Sequence, residues 1–323
     1  MVFKKPLGWL LAGVVTLTGA SALAEQSNEP LRVVTTFSIL QDMAQMVGGE
    51  RVEVTTLVAA NEDAHVYQPR PSDSRTLAKA DLVMENGLSF NGWVDRLLEA
   101  SGYQGERVIA TQGIEKITMA SRDAHEEPDD HDHDHDHDHD HDHDQGHGSY
   151  DPHAWQSLVQ AQVYVDNLLK GLIKVDPEGK AYYQQRAENY QAQMQELHSN
   201  LKARFDALPD DRRIVMTPHD AFGYLADAYG LTIVAPQGVS TASEPSASEM
   251  AALVRQIRDR KVTAVFMENI GDTRLVEQLQ RETGAKLGGT LYSDALSSKE
   301  EEAGTYLEML RHNLETLLSA LEP

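Results

Sequence analysis

The chain has 323 residues, no cysteine and a formal net charge of −23. This length is sufficient for one large domain or two ordinary ones. The strongly negative charge argues against a nucleic-acid partner and favours a cationic ligand. Because there is no cysteine, a thiolate metal site and a lipid anchor on an N-terminal cysteine are both excluded.

Residues 1–24 are predicted to be a secretory signal peptide. Lys4 and Lys5 precede an apolar run that ends near Leu17, and small residues precede a cleavage point between Ala24 and Glu25. The apolar run is too short to span a membrane. We therefore expect an exported protein that is free in a bacterial periplasm, without a lipid anchor.

Strand-like and helix-like segments alternate along the first half of the mature chain. The apolar segments that predict strands are Arg32–Thr36, Val52–Leu57, Leu82–Glu85 and Val108–Ala110. The amphipathic segments between them predict helices over Ile39–Val47, Ser72–Ala80 and Gly92–Ala100. This alternation is typical of a parallel sheet covered by helices.

The second half repeats the alternation. Its predicted strands are Ile214–Thr217, Leu231–Ala235, Ala264–Glu268 and Lys286–Leu291. Its predicted helices are Phe222–Tyr229, Ser246–Arg260, Thr273–Thr283 and Glu301–Leu321. Four strands in each half indicate an α/β protein with two lobes of similar architecture, an N-terminal lobe over residues 25–176 and a C-terminal lobe over residues 209–323.

A single long helix is predicted between the two lobes, over residues 177–208. Asp176 precedes Pro177 and Glu178, an order that is typical of a helix start. Apolar residues then recur every three or four positions until Pro209, at Tyr183, Ala187, Tyr190, Met194, Leu197, Leu201, Phe205 and Leu208. About 30 residues at about 1.5 Å each predict a rod of roughly 45 Å.

Residues 121–150 differ in composition from the rest of the chain. Alternating His and Asp dominate, so we expect a disordered surface loop with no packed core of its own. An expression tag is normally a terminal block of consecutive histidines, and we interpret this internal run as native. Imidazoles among carboxylates offer weak, exchangeable cation sites. The histidines predicted to form these accessory sites are His131, His133, His135, His137, His139, His141, His143 and His147.

Four side chains with metal-binding chemistry follow predicted strands. Open parallel sheets bind ligands beyond the carboxyl ends of their strands, so a cleft between the lobes would bring these four together. Glu268, at the end of another strand, is a candidate to orient an imidazole, beside a purely structural role. Glu62 and Asp63 precede His65 and are candidates for groups outside the ligand shell, but the favoured interpretation is that they are solvated loop acids. The four predicted ligands are His65, His153, His219 and Asp294.

Three nitrogens and one carboxylate suit Zn²⁺ in a four-coordinate shell, whereas Mn²⁺ favours more oxygen ligands. A shell completed by the protein leaves no position for a reactive water, which indicates a site that holds metal rather than one that uses it in hydrolysis. The sequence contains no HExxH motif, no GxSxG motif and no phosphate-binding glycine loop. We therefore expect a binding protein and not an enzyme.

Several motifs together resemble one protein family. They are "RVVTTFSIL", "AHVYQPRPSD", "DPHAW", "TPHDAFGYLADAYGL", "VFMENIGDTRLVEQL" and "GGTLYSDALS", spaced around the predicted long helix. At these spacings the chain is similar to the zinc- and manganese-specific solute-binding proteins of bacterial ABC transporters, the cluster A-I or TroA-like family. The resemblance covers the whole mature chain. One departure is Ala64, where many members have proline before the first ligand histidine.

The resemblance implies two (β/α)4 lobes joined by the long helix, with one metal ion in the cleft. It assigns the same four ligands, and His219 favours zinc because manganese-specific members often carry glutamate at that position. It also implies a monomer that delivers its ion to the membrane permease of an ABC importer, with a periplasmic metallochaperone as a further candidate partner. Similar His-rich loops occur at this place in zinc-specific members.

The main hypothesis is therefore a periplasmic zinc-binding protein that serves an ABC importer. Three alternatives stay open at this point. One is a manganese- or iron-binding subunit of the same transporter class. Another is a periplasmic zinc buffer or metallochaperone, in which the His-Asp run does most of the binding. The third is a zinc hydrolase, which would require an exchangeable water on the metal.

Overall fold

A computed structural model describes Met1 and residues 29–118, 150–236, 238, 240, 241, 247–271 and 273–322. Apart from Met1, the predicted signal peptide lies outside the described residues. The same holds for the eight histidines that were predicted to form accessory metal sites. Within the described part of the chain, no helix is both long enough and apolar enough to cross a membrane.

The N-terminal lobe is built on one parallel sheet. Its strands run in the order β2-β1-β3-β4, and every neighbouring pair is parallel. Helices follow the first three strands, and a 3₁₀ turn over Gly49–Arg51 precedes β2. The elements are β1 Leu31–Phe37, α1 Ser38–Gly48, β2 Val52–Val58, α2 Pro71–Leu77, β3 Leu82–Glu85, α3 Val94–Ser101 and β4 Glu106–Ile109.

Two consecutive helices lead from this lobe to the next. A 3₁₀ turn over Ala154–Gln156 opens α4, which spans Leu158–Val175 and lies against the N-terminal sheet. Gly171 allows this close approach, because a Cβ there would collide with Val108. A second 3₁₀ turn, Pro177–Gly179, opens the long helix α5 over Lys180–Asp206.

The C-terminal lobe repeats the same design. Its strands run in the order β6-β5-β7-β8, again parallel throughout, with one irregularity in register between Val265 and Phe266. A 3₁₀ turn over Asp210–Arg212 precedes β5. The elements are β5 Ile214–Met216, α6 Gly223–Tyr229, β6 Thr232–Val234, α7 Ala247–Asp259, β7 Ala264–Glu268, α8 Thr273–Thr283, β8 Lys286–Leu291 and α9 Tyr306–Leu321.

The predicted architecture of two four-stranded parallel lobes and a long linking helix is confirmed. The apolar stripe of α5 is buried at the predicted positions, and one hydrophobic core extends from this helix into both lobes. A second, smaller cluster lies under α7 and α8 in the C-terminal lobe. The long helix is therefore part of the shared core of the two lobes and is not an exposed linker.

Two predicted helix starts differ from the structure by three residues or more. The long helix was predicted from residue 177, but Asp176 caps the 3₁₀ turn and the α-helix begins at Lys180. Its 27 residues give a length of about 40 Å. The last helix was predicted from Glu301, but it begins at Tyr306 because the Thr305 hydroxyl accepts a hydrogen bond from the backbone of Glu308.

We predict that Asp176→Ala lowers the free energy of unfolding by about 1–3 kcal/mol. The Asp176 carboxylate accepts hydrogen bonds from Arg51 at 2.8 Å and from Tyr183 at 2.7 Å. It also accepts one from the backbone of Gly179 at 3.2 Å. Although burial raises the pKa of Asp176, the bonds from Tyr183 and Arg51 outweigh it and lower the pKa below its usual value.

Because the pKa of Asp176 is lowered by folding, the stabilisation is present above the ordinary aspartate pKa and is lost as the pH falls through the lowered value. Denaturant unfolding of the wild type and the variant at pH 7 and in acid measures this. The difference should shrink in acid. Asp210→Ala is the matched control, because its carboxylate is fully exposed. An equal loss of stability in both variants would contradict the prediction.

Candidate metal centre

The four predicted ligand side chains converge between the two lobes. His65 follows β2, His153 lies between β4 and α4, His219 follows β5, and Asp294 follows β8. Each therefore lies beyond the carboxyl end of a parallel strand, as predicted. One ligand atom from each residue can be chosen so that all four atoms lie within 4.8 Å of one another.

The carboxylate of Asp294 lies at the centre of this group. Its Oδ2 is 3.0 Å from Nε2 of His65 and 3.2 Å from Nε2 of His219, and its Oδ1 is 3.6 Å from Nε2 of His153. Asp294 and His153 have no exposed surface, and His219 is 1 % exposed. The side chain of His65 is 4 % exposed. The group is thus almost completely shielded from solvent.

Carboxylates orient two of the three imidazoles from behind. Asp151 lies 2.8 Å from Nδ1 of His153 and also accepts the His153 backbone N–H. Glu268 lies 2.5 Å from Nδ1 of His219 and accepts its backbone N–H at 3.1 Å. With Nδ1 held in this way, Nε2 of each ring points into the shared space. The predicted orienting role of Glu268 therefore has a structural basis.

His65 is held differently. Its backbone N–H donates to Asp63 at 2.8 Å, and its ring lies edge-on to Phe90 with the ring centroids 4.6 Å apart. The other carboxylate oxygen of Asp63 accepts a hydrogen bond from Thr241 of the C-terminal lobe at 2.6 Å. The interpretation of Asp63 as a solvated loop acid was wrong. It fixes the backbone at one ligand and also connects the lobes.

The charges in the group shift the pKa values of its members in opposite directions. Burial lowers the pKa of His219, but the carboxylates of Glu268 and Asp294 outweigh this and raise it well above the usual value. Burial likewise raises the pKa of Asp294, whereas His219 and His153 outweigh this and lower it well below the usual value. Asp294 is therefore ionised at neutral pH and attracts cations.

The arrangement fits a bound cation better than a hydrogen-bond network. Nε2 of His219 and both carboxylate oxygens of Asp294 are buried, yet none of them makes a hydrogen bond of good geometry. Nε2 of His153 and Nε2 of His65 face each other at 3.5 Å. Buried polar atoms without partners are costly in a folded protein. A divalent ion among these four atoms would satisfy all of them at once.

No role was predicted for Asp151 from the sequence. A shared pattern could have revealed it: Asp63 and Asp151 each stand two residues before a ligand histidine and accept its backbone N–H. His198 and His312 lie elsewhere. His198 contacts the hydroxyl of Tyr229, and His312 contacts the backbone oxygen of Thr290.

The profile of one protein family, described as the periplasmic zinc-uptake complex component A, matches residues 33–320. Among curated relatives, the manganese ABC transporter substrate-binding lipoprotein PsaA of Streptococcus anginosus is 25 % identical over 98 % of this chain and 99 % of its own length. The manganese-binding lipoprotein MntA of Halalkalibacterium halodurans is 27 % identical over 95 % of this chain and 96 % of its own.

Solved structures of periplasmic metal-binding proteins also match almost the whole chain. The periplasmic zinc-binding protein TroA of Treponema pallidum is 29 % identical, with a TM-score of 0.78, and covers 91 % of this chain and 100 % of its own. A manganese-bound mutant of a periplasmic metal-binding protein of Candidatus Liberibacter asiaticus is 28 % identical, with a TM-score of 0.76, and covers 90 % and 99 %. The two-lobed fold is therefore shared with proteins described as binding different metals.

We predict that Glu268→Gln lowers the pKa of His219 and weakens metal binding by about 10–100-fold. The substitution removes the negative charge that raises the pKa of His219 while keeping an oxygen near its Nδ1. NMR titration of the His219 ring and competition titration with a metal indicator measure the two effects. Glu300→Gln, at an exposed position, is the control. An unchanged ring titration would contradict the assigned contact.

Proposed function

This chain belongs to the family of periplasmic zinc-uptake component A proteins, and on that premise we propose that it binds Zn²⁺ after export and delivers it to a membrane ABC importer. The family consists of metal-binding substrate-binding proteins of such transporters. The observation that carries the proposal is the buried set of three imidazoles and one carboxylate between the lobes. The bound ion is the cargo of the protein.

We assign the four ligands of the cargo to His65, His153, His219 and Asp294. Their ligand atoms are within 4.8 Å of one another. Asp151 orients His153, and Glu268 orients His219. A neutral imidazole is required for each bond, so binding must displace the proton that His219 holds at its raised pKa. Metal affinity should therefore fall as the pH is lowered.

The chemistry of the ligands supports zinc as the cargo. Three nitrogens and one oxygen match the preferences of Zn²⁺, and four protein ligands complete a tetrahedral shell. Such a shell has no position for a reactive water, which supports transport rather than hydrolysis.

Manganese is the second candidate cargo, and the comparisons favour it in one respect. Two relatives are named for manganese, and a similar solved structure contains it. Binding of Mn²⁺ would require further oxygen ligands, for which a bidentate Asp294 is the one source among the four.

For location and partner, we propose a protein free in the periplasm that docks on an ABC permease as a monomer. The related proteins PsaA and MntA are named lipoproteins, but this chain has no cysteine on which a lipid could be placed. A zinc buffer or metallochaperone would use the same site without a permease. Zinc uptake in cells that lack the protein separates the two, because uptake should fall only if it serves an importer.

The His-Asp run is proposed to be an accessory that captures or transfers metal. The described residues on either side of the run meet on the N-terminal lobe, because Thr118 and Tyr150 pair as an antiparallel bridge and the backbone of Asp151 donates to Ile117. None of the four ligands proposed above belongs to this run. Shortening this segment should therefore leave the tight site intact.

We predict that zinc binds at least about 100-fold more tightly than manganese, and that His219→Glu narrows this ratio by about 10-fold or more. The variant replaces one nitrogen ligand by oxygen, which favours the harder ion. His219→Ala is the matched comparison and should weaken both metals severely. Competition titrations of the metal-free proteins at pH 7.5 and about pH 6 give the ratios and the proton dependence. Unchanged zinc affinity in His219→Ala would remove His219 from the site.

We predict that a protein lacking residues 125–147 keeps one tight zinc site and loses several weak ones. Calorimetric titration of the intact and the shortened chain measures both classes of site. A second control replaces the eight histidines of the run by asparagine and keeps the acidic residues, which separates imidazole ligation from the effect of charge. Loss of the tight site in the shortened protein would instead support a buffer built on the run.

A further inference from the structure

The metal centre has a buried seam between the lobes directly beside it. On the N-terminal side, the turn Ala154–Gln156 follows His153 without a gap. On the C-terminal side, the segment that ends β8 leads through Ser293 to Asp294. Two ligands that are remote in sequence are therefore attached to chain segments that touch each other.

Two side chains of the turn donate hydrogen bonds across the seam to the same acceptor. Nε1 of Trp155 donates to the backbone oxygen of Ser293 at 2.9 Å, and Nε2 of Gln156 donates to it at 2.6 Å. Gln156 also donates to the backbone oxygen of Tyr292 at 3.1 Å. The Ser293 carbonyl thus has both of its acceptor positions occupied by one turn of the opposite lobe.

The burial of the contact makes it strong. Trp155, Gln156, Ser293 and Asp294 have no exposed surface, so water cannot replace either donor. A buried carbonyl that loses its partners is left without a hydrogen bond in a place that water cannot reach, which is unfavourable. The hydroxyl of Tyr306 donates in the opposite direction, to the backbone oxygen of Trp155 at 2.5 Å. The turn is therefore bonded to the C-terminal lobe at its backbone as well as through its side chains.

The bonded carbonyl belongs to the peptide unit that joins Ser293 to Asp294. Because a peptide unit is planar, fixing its oxygen also fixes the direction of the Asp294 N–H and the position of its Cα. His153 is fixed on the other side by Asp151. Contacts between protein groups therefore constrain both sides of the separation of 3.6 Å between Nε2 of His153 and Oδ1 of Asp294.

We propose that Trp155 and Gln156 are positioning residues that hold Asp294 in register with His153 before the metal ion arrives. This inference rests on the metal-binding function proposed above and deepens it. Half of the ligand set is then preorganised across the lobes. A metal ion that enters the cleft meets one imidazole and one carboxylate at a fixed separation. The conformational entropy of bringing these two side chains together is lost during folding and not during metal binding.

The test uses Trp155→Phe, Gln156→Met and the double variant, which remove the donors and keep apolar side chains. Methionine is close to glutamine in size, whereas phenylalanine is smaller than the buried Trp155, so Gln156→Met isolates the loss of the hydrogen bonds. The matched control is Asn167→Leu. Nδ2 of Asn167 likewise donates to two backbone oxygens, of Ala110 at 2.9 Å and of Gln112 at 2.8 Å, but within one lobe. The control therefore loses the same kind of bond without loosening the seam.

We predict that the double variant binds Zn²⁺ about 10–100-fold more weakly than the wild type, and that Asn167→Leu stays within about 3-fold. With Co²⁺ as the probe, the absorption of the tetrahedral site should lose intensity in the double variant only. In the metal-free proteins, backbone hydrogen exchange over residues 292–296 should be faster in the double variant than in the control. This last readout does not depend on any bound metal.

Equal zinc affinity and equal exchange in the double variant and the control would overturn the proposal, while zinc binding by the wild type would still support the proposed function. Absence of tight zinc binding in the wild type would instead defeat the proposed function. If the double variant does not fold, Gln156→Met decides alone. It should weaken zinc binding by about 3–10-fold, and an affinity equal to that of the control would overturn the proposal.

Discussion

The structure around the cleft depends on one buried charge. Asp294 has no exposed surface and lies within about hydrogen-bonding distance of two imidazoles and close to a third. An isolated carboxylate in such a place would be very unfavourable, because removal from water costs several kcal/mol after relaxation. The protein offsets this cost with the positive charge that His219 carries at its raised pKa, and the cargo can replace that charge. Proton and metal therefore compete for the same role, that of the cation beside Asp294.

The two lobes repeat one architecture, and this repetition brings the charged groups of the site together. Each lobe places two of the four proposed ligands beyond the carboxyl ends of its parallel strands, and the shared core of α5 with both lobes brings those two edges face to face. Neither lobe has enough ligands for a tight tetrahedral site alone. The affinity of the site is therefore a property of the contact between the lobes, which explains why groups that touch no metal are part of its physical chemistry.

Much of this could be predicted from the sequence. The strands Leu82–Glu85, Ala264–Glu268 and Lys286–Leu291 were predicted with the observed bounds, because each is bounded by recognisable turns or polar residues. The convergence of the four proposed ligands followed from their positions after strand ends. The late start of the last helix was missed because Thr305 decides it through one local hydrogen bond. The seam could not be predicted, since Trp155 and Ser293 are 138 positions apart and no periodic pattern links them.

The two sides of the metal centre are bonded unequally. Beside His153 and Asp294, the contacts between lobes are fully buried, so water cannot compete for them. Beside His65, the side-chain contacts between the lobes include Asp63 with Thr241 and the amide pair of Asn269 with Asn61 at 3.3 Å, and these lie at the partly solvated rim. Polar contacts at a rim contribute less because water replaces either partner at little cost. The rigidity of the centre therefore originates in the buried seam and in the core around α5. His65 lies on the side with the weaker contacts. Among the described residues, it is the one imidazole of the three with no carboxylate at its Nδ1.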